Sequence, residues 1–77
     1  MKEVLEYLAR SLVDDPDSVE VTEERADSGS VTLRLKVAPD DMGKVIGRGG
    51  RIARSIRAVV RASAARTDTH VSVEIVE

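Results

Sequence analysis

The sequence predicts an α+β fold in which a three-stranded sheet packs against three helices in the order α-β-β-α-α-β. Apolar residues recur at helical spacing in three segments and alternate with polar residues in three others. With 77 residues, 42% of them hydrophobic, the chain suits one small domain, residues 1–77, with a modest core. No internal repeat or low-complexity tract suggests a second unit.

The N-terminal segment is predicted to form an amphipathic helix from Lys2 to Val13. Its apolar residues fall at i, i+3, i+4 and i+7, the spacing of a single helix face: Leu5, Leu8, Ala9 and Leu12. Pro16 ends the helix, because proline cannot continue an α-helix and restricts the residue before it.

A β-hairpin is predicted next. Val19 and Val21 alternate with polar residues and indicate a short, half-buried strand. A second strand has apolar residues at every other position: Val31, Leu33, Leu35 and Val37. The residues between them, Asp-Ser-Gly-Ser at 27–30, have turn chemistry, since Gly29 can adopt positive φ. The two strands are therefore expected to pair as a hairpin.

The second half of the chain predicts two helices and a last strand. Pro39 suits the start of a short helix over residues 41–46, with an Asp able to cap free amide groups. A longer helix is predicted from Arg51 to Arg66, with apolar and basic residues on separate arcs: Ile52, Ile56, Val59 and Val60 against Arg51, Arg54, Arg57 and Arg61. The final strand is marked by Val71, Val73 and Ile75.

Charge is distributed unevenly along the chain. The net charge is −2, but residues 1–41 hold five Lys/Arg and eleven Asp/Glu, whereas residues 42–77 hold seven Lys/Arg and three Asp/Glu. All seven of those cations lie between Lys44 and Arg66 with no acid among them. This asymmetry indicates a basic face that meets a polyanion. Arginines that only solvate one side of a helix would give the same count, so charge alone leaves both interpretations open.

Residues 47–50, Gly-Arg-Gly-Gly, separate the last two predicted helices. Glycine lets a backbone approach a ligand closely, and the helix that follows offers unpaired amide groups and a partial positive charge. Lys44, Arg48, Arg51 and Arg54 add side-chain charge around the same point. The pattern predicts a phosphate-binding loop. A helix corner that uses glycine only for its geometry is the alternative.

Two other phosphate-binding motifs can be tested by spacing. A P-loop requires G-x-x-x-x-G-K-[ST], which the sequence lacks. A dinucleotide-binding fingerprint requires G-x-G-x-x-G, but Ile52 stands where the last glycine should be, and the chain is too short for that fold. Both motifs are therefore excluded.

The segment from Val45 to Ile52, Val-Ile-Gly-Arg-Gly-Gly-Arg-Ile, resembles the core signature of KH domains, which is an aliphatic pair, a GxxG loop and a further aliphatic residue. The element order is similar to the type II, or prokaryotic, KH topology. The small size is similar to that of bacterial single-domain KH proteins of the KhpA type. The resemblance covers essentially the whole chain.

The resemblance implies a cleft that holds about four nucleotides of single-stranded RNA, with the GxxG loop clamping the backbone. The residues expected to bind RNA are Lys44, Ile46, Gly47, Arg48, Gly49, Gly50, Arg51 and Arg54. Ile46 and Ile52 would be shared between the cleft floor and the core. The family also implies a role as an RNA chaperone or adaptor, a second KH-containing partner of the KhpB (Jag) type, and effects on cell-envelope growth and cell length. A homodimer is a further expectation, because a lone four-nucleotide cleft supplies few contacts and dimerisation would raise avidity.

Other function classes have little support in the sequence. His70 is the only histidine and cysteine is absent, so neither a catalytic pair nor a metal or cofactor site is expected. The acids before residue 25 lack the spacing of a calcium loop. A protein-interaction domain with an idle GxxG loop is the alternative to RNA binding. No apolar run approaches the ~20 residues of a membrane span, and the acidic N-terminal segment does not resemble a signal peptide. We therefore expect a cytoplasmic protein with no role for a membrane.

Overall fold

The computed structural model describes residues 1–76 and has the predicted order of elements. The helices are α1 (Lys2–Leu12), α2 (Met42–Ile46) and α3 (Arg51–Ala65), and the strands are β1 (Glu20–Arg25), β2 (Val31–Lys36) and β3 (Val71–Val76). Within residues 1–76 the longest helix has 15 residues, and no helix has the length and apolarity that crossing a membrane requires. The predicted first strand lay too early, since β1 starts after Val19 and continues to Arg25.

The sheet has the order β1-β2-β3, with β2 in the centre. β1 pairs with β2 antiparallel, as the hairpin prediction requires, and β3 pairs with β2 in parallel. A parallel neighbour needs a long crossover connection, which α2 and α3 supply. The strands β2 and β3 are parallel, so the start of β3 lies beside the start of β2. Since α3 leads into the start of β3, the first residues of α3 lie near the other end of the sheet, where β2 finishes. The GxxG loop and the β1–β2 turn are thus at opposite ends of the molecule.

The core lies between one face of the sheet and the three helices. β2 contributes most to it, because the strand is paired on both sides and Val31, Leu33 and Leu35 are at most 1% exposed. The other fully buried large side chains come from the helices: Leu5, Val45 and Val60. Each such residue contributes about 1.5–3 kcal/mol to stability by leaving water. The alternating pattern of β2 therefore predicted the centre of the core correctly.

The buried face of α3 is narrower than its apolar arc. Its buried residues are Ala53, Ile56, Val60 and Ala64, a stripe in which small alanines allow close approach to the sheet. Ile52 is half-buried, and Val59 is 46% exposed although it belongs to the same apolar arc. These two residues lie at the edge of the stripe, beside α1, rather than over the sheet.

Candidate nucleic-acid interface

The GxxG loop is a tight turn that glycine makes possible at three positions. α2 ends at Ile46, and the N–H of Gly47 donates to the carbonyl oxygen of Gly43 at 2.9 Å. Gly47 then adopts φ 73° and ψ 172°, a region open essentially to glycine alone. Gly49 and Gly50 follow in left-handed conformations, with φ of 65° and 76°. The chain can therefore reverse from α2 into α3 within four residues.

Gly47 also packs directly against Ile52. A Cβ atom at Gly47 would lie 2.6 Å from Cγ1 of Ile52, well inside contact distance, whereas a Cβ at Gly49 would meet nothing within 4 Å. The first glycine of the motif and the aliphatic residue after the loop thus form one packing unit. The third position of the loop faces open space and leaves room for a ligand.

The backbone amides of the loop are less available than the sequence predicts. A turn of 3₁₀ helix covers residues 48–50 and continues into α3. In this turn the N–H of Gly50 donates to the carbonyl oxygen of Gly47 at 3.1 Å, and the N–H of Arg51 donates to that of Arg48. The expectation of unpaired amides is wrong for these two residues, so an anion at the loop would be held mainly by side-chain charge and by the dipole of α3.

Three arginines around the loop carry free positive charge. Arg48, Arg51 and Arg54 are exposed, and within residues 1–76 no carboxylate oxygen lies within 4.0 Å of their guanidinium groups. The same holds within those residues for Arg61 and Arg66, further along α3. The basic surface therefore begins at the loop and follows one side of α3.

Lys44, the fourth cation predicted at the site, is already paired. Its ammonium group contacts the carboxylate of Asp14, and Nζ lies 3.4 Å from Oδ1 of Asp41. The hydrogen bond to Asp14 raises the pKa of Lys44 above its ordinary value and outweighs the opposing effect of desolvation. Lys44 is therefore fully protonated near neutral pH, but two carboxylates offset its charge.

Asp41 has a role that the sequence did not reveal. No side-chain bond caps α2 from this position, so the helix-capping prediction is wrong for Asp41. Its carboxylate instead accepts the backbone N–H groups of Asp14 at 3.2 Å and Asp15 at 3.0 Å, while the residue is only 2% exposed. Burial would raise the pKa of Asp41, but these hydrogen bonds and Lys44 outweigh it and lower the pKa below 3.8.

Two further cations have structural partners away from the loop. Arg57 is half-buried, and its Nε donates to the carbonyl oxygen of Val73 at 3.3 Å, which fixes α3 to the edge strand β3. On the outer face of the sheet, Arg34 bridges Glu24 at 2.9 Å and Glu74 at 3.0 Å. This ion-paired face has no aromatic platform for stacking bases, so the loop side of the molecule is the better candidate.

Metal chemistry has no support in the part of the chain that the structure describes. Residues 1–76 contain no group of three or more His, Cys, Asp or Glu side chains that could hold a metal ion. His70 is exposed just before β3, and its carbonyl oxygen accepts the N–H of Val31 at 2.9 Å. What the structure shows for His70 is thus a backbone contact that aligns β3 with β2.

Sequence reasoning missed an apolar groove between α1 and α3. It has a volume of about 290 Å³, and its apolar lining comes from Leu8, Leu12, Ile52, Ile56 and Val59. The sequence contained a sign of this groove, because the apolar arc of α3 is wider than packing against the sheet alone requires. Outside the groove, Ile46, expected at the cleft floor, is 37% exposed beside the loop.

Comparison with known proteins decides the family. The model of the KhpA/KhpB KH domain matches residues 2–75, nearly the whole chain. The chain belongs to this KhpA/KhpB KH-domain family. A relative named RNA-binding protein KhpA, from Clostridium acetobutylicum, is 54% identical over 76 residues, which cover 99% of this chain and 100% of the relative. A protein of the same name from Clostridium perfringens is 53% identical over the same coverage.

Solved structures support the KH fold. Era from Aquifex aeolicus, bound to GDP·AlF4⁻, superposes with a TM-score of 0.63 at 18% identity, over 96% of this chain and 28% of Era. Era in complex with MgGDPNP and nucleotides 1506–1542 of 16S ribosomal RNA gives a TM-score of 0.54 at the same identity and coverage. At such low identity the likeness concerns the fold alone, and it agrees with the α+β architecture of this KhpA/KhpB family member.

Proposed function

We propose that this chain, acting as a single KH domain, binds the backbone of single-stranded RNA through residues 47–50 and catalyses no reaction. The observation that carries the proposal is a set of three exposed arginines around an open glycine turn, none of which pairs with a carboxylate within residues 1–76: Arg48, Arg51 and Arg54. Relatives named RNA-binding proteins support RNA as the polyanion.

The arrangement suits a backbone clamp of modest selectivity. Phosphates would contact the arginines at the loop, where the open side of Gly49 lets the strand approach the backbone. Ile46, 37% exposed beside the loop, offers an aliphatic surface to a base. Because Tyr7 is the only aromatic residue, stacking adds little energy, and affinity depends on charge and backbone contacts.

The test is fluorescence anisotropy of short, labelled single-stranded RNA across a salt series. We expect wild type to bind, with log affinity falling against log salt at about −0.7 per phosphate neutralised. The double variant Arg48→Asp, Gly49→Asp should not bind at any salt concentration. A side chain at position 49 meets nothing within 4 Å, and the only cost expected there is the left-handed backbone, about 1–2 kcal/mol. Circular dichroism checks that the variant folds.

The matched control is the double variant Arg25→Asp, Ser28→Asp, which makes the same change in net charge. Both positions are exposed and lie in or beside the β1–β2 turn, at the far end of the sheet. The control should keep most of the RNA affinity. Equal losses of RNA affinity in the two variants would mean that binding depends only on the net charge of the protein. Equal RNA affinity of all three proteins would contradict the assignment of the loop as the binding site.

A protein-interaction domain is the second candidate, and the groove between α1 and α3 favours it. Leu12 is 38% exposed and Val59 46% exposed there, and a contiguous exposed apolar patch can mark a protein-interaction site. The family resemblance suggests a KhpB (Jag) type protein as occupant, with the pair acting as a cytoplasmic RNA chaperone or adaptor that affects the cell envelope and cell length. A second copy of this chain is the other candidate occupant. The double variant Arg48→Asp, Gly49→Asp separates the two candidate functions, because it should lose RNA binding and retain binding of the protein partner.

A further inference from the structure

A buried carboxylate fixes the connection between α1 and β1 against the start of α2. Asp41 uses one oxygen for the N–H of Asp14 and the other for the N–H of Asp15, 27 and 26 residues earlier in the chain. No buried side-chain polar atom in the described residues 1–76 lacks a hydrogen bond, so this contact is complete. The backbone of residues 14 and 15 therefore has a defined position next to the helix that leads into the GxxG loop.

This position presents the side chain of Asp14 to Lys44. The Asp14 side chain is 81% exposed and that of Lys44 is 43% exposed, so the pair lies at the surface, above the buried Asp41. Lys44 lies one helical turn before Gly47. An RNA phosphate that follows the basic surface beyond Arg48 towards α2 would thus meet a cation whose partner is already in place.

We propose that Asp14 limits RNA affinity by occupying Lys44, so that a backbone phosphate must displace its carboxylate to bind there. Asp41 cannot be displaced in the same way, because it is 2% exposed and holds two backbone amides. Asp14 can rotate into water at little cost. The inference rests on the proposed RNA-binding function. It adds an acidic side chain that competes with RNA phosphate for Lys44, so that RNA binds less tightly and dissociates more readily.

The test is the variant Asp14→Asn, which removes the charge but keeps the backbone N–H that Asp41 accepts. We expect RNA affinity to rise about three- to fivefold at low salt, since one exposed lysine becomes available. The slope of log affinity against log salt should become steeper by up to about 0.7, the value for one additional phosphate contact on a single strand, because Asp14 keeps Lys44 from the phosphate in part of the wild-type complexes. Adding Lys44→Ala to this variant should abolish both gains.

The matched control is Asp17→Asn, which removes one negative charge from the same connection. Asp17 is exposed, and within residues 1–76 its carboxylate forms no ion pair. The RNA affinity of the Asp17→Asn variant should stay close to that of wild type. Equal gains from Asp14→Asn and Asp17→Asn would overturn the proposal in favour of a general charge effect.

Failure of this inference is distinguishable from failure of the proposed function. If wild type binds RNA, the loop variant does not, and Asp14→Asn changes neither affinity nor slope, Lys44 lies off the RNA path and only the role of Asp14 is refuted. If wild type itself does not bind single-stranded RNA at any salt concentration, the proposed function and this inference are both refuted.

Discussion

Gly47 and Gly49 have positive φ, but different surroundings make them unequal as targets for substitution. Gly47 lies where a side chain would be strained by the backbone and would also collide with Ile52. Gly49 has only the backbone strain, because its side-chain direction is open. Gly43, in α2, has neither constraint. The three glycines therefore form a graded series within seven residues.

We predict that Gly47→Ala reduces the free energy of unfolding by roughly 3 kcal/mol or more, since strain and overpacking add. Gly49→Ala should cost about 1–2 kcal/mol, the penalty of a left-handed conformation alone. Gly43→Ala should be neutral or stabilising by up to about 1 kcal/mol, because alanine favours the helix. Urea unfolding followed by circular dichroism measures all three. Equal costs at positions 47 and 49 would show that Ile52 moves aside freely.

At the scale of the element, α3 combines two functions on different faces. Its buried stripe holds the helix on the sheet, and its exposed arginines extend the basic surface of the loop. Between these faces, Ile52 and Val59 line the groove with α1. Adjacent residues of the helix can thus differ greatly in their contribution to stability.

We predict that Val60→Ala destabilises the fold by roughly 2–3 kcal/mol, because Val60 is 0% exposed and its loss leaves a cavity. Val59→Ala should change the free energy of unfolding by less than about 1 kcal/mol, since Val59 is 46% exposed and alanine is the better helix former. Urea denaturation of the two variants provides the comparison. A similar loss for both would mean that the groove is filled in solution, for example by a second copy of the chain.

At the scale of the whole molecule, one carboxylate links distant parts of the chain and makes stability depend on pH. The pKa of Asp41 is lowered in the folded state from its ordinary 3.8, so folding favours the ionised form. This contribution is fully present above pH 3.8 and is lost as the pH falls through the lower, folded-state pKa. Acid should therefore loosen the contact between the α1–β1 connection and α2.

We predict that Asp41→Asn lowers the melting temperature by roughly 5–15 °C at pH 7, because an amide replaces a buried carboxylate that accepts two backbone N–H groups. The difference between wild type and this variant should shrink below about pH 4, where wild type loses the same charge. Thermal melts from pH 7 to pH 3 test this. Asp40→Asn, at the exposed neighbouring position, is the control and should follow wild type. A difference that stays constant down to pH 3 would contradict the assignment.

Local patterns in the sequence were sufficient for the fold and for the position of the loop. Strict alternation from Val31 to Val37 predicted the central strand, and three glycines after a short apolar helix predicted the loop between α2 and α3. Such signals depend on spacing along the chain, which the sequence states directly. The KH resemblance, now confirmed by the family match, has the same local origin in residues 45–52.

Contacts between distant segments were decided only by the tertiary structure. The spacing of residues 39–41 predicted a helix cap, whereas Asp41 in fact holds the amides of Asp14 and Asp15, and Lys44 is paired rather than free. The exposure of Val59 likewise depends on how α1 lies against α3. Sequence by itself thus determined the elements, the basic segment and the glycine loop of this protein. Which of its charges are free and which are neutralised followed only from packing, because a residue's partner across space has no fixed spacing along the chain.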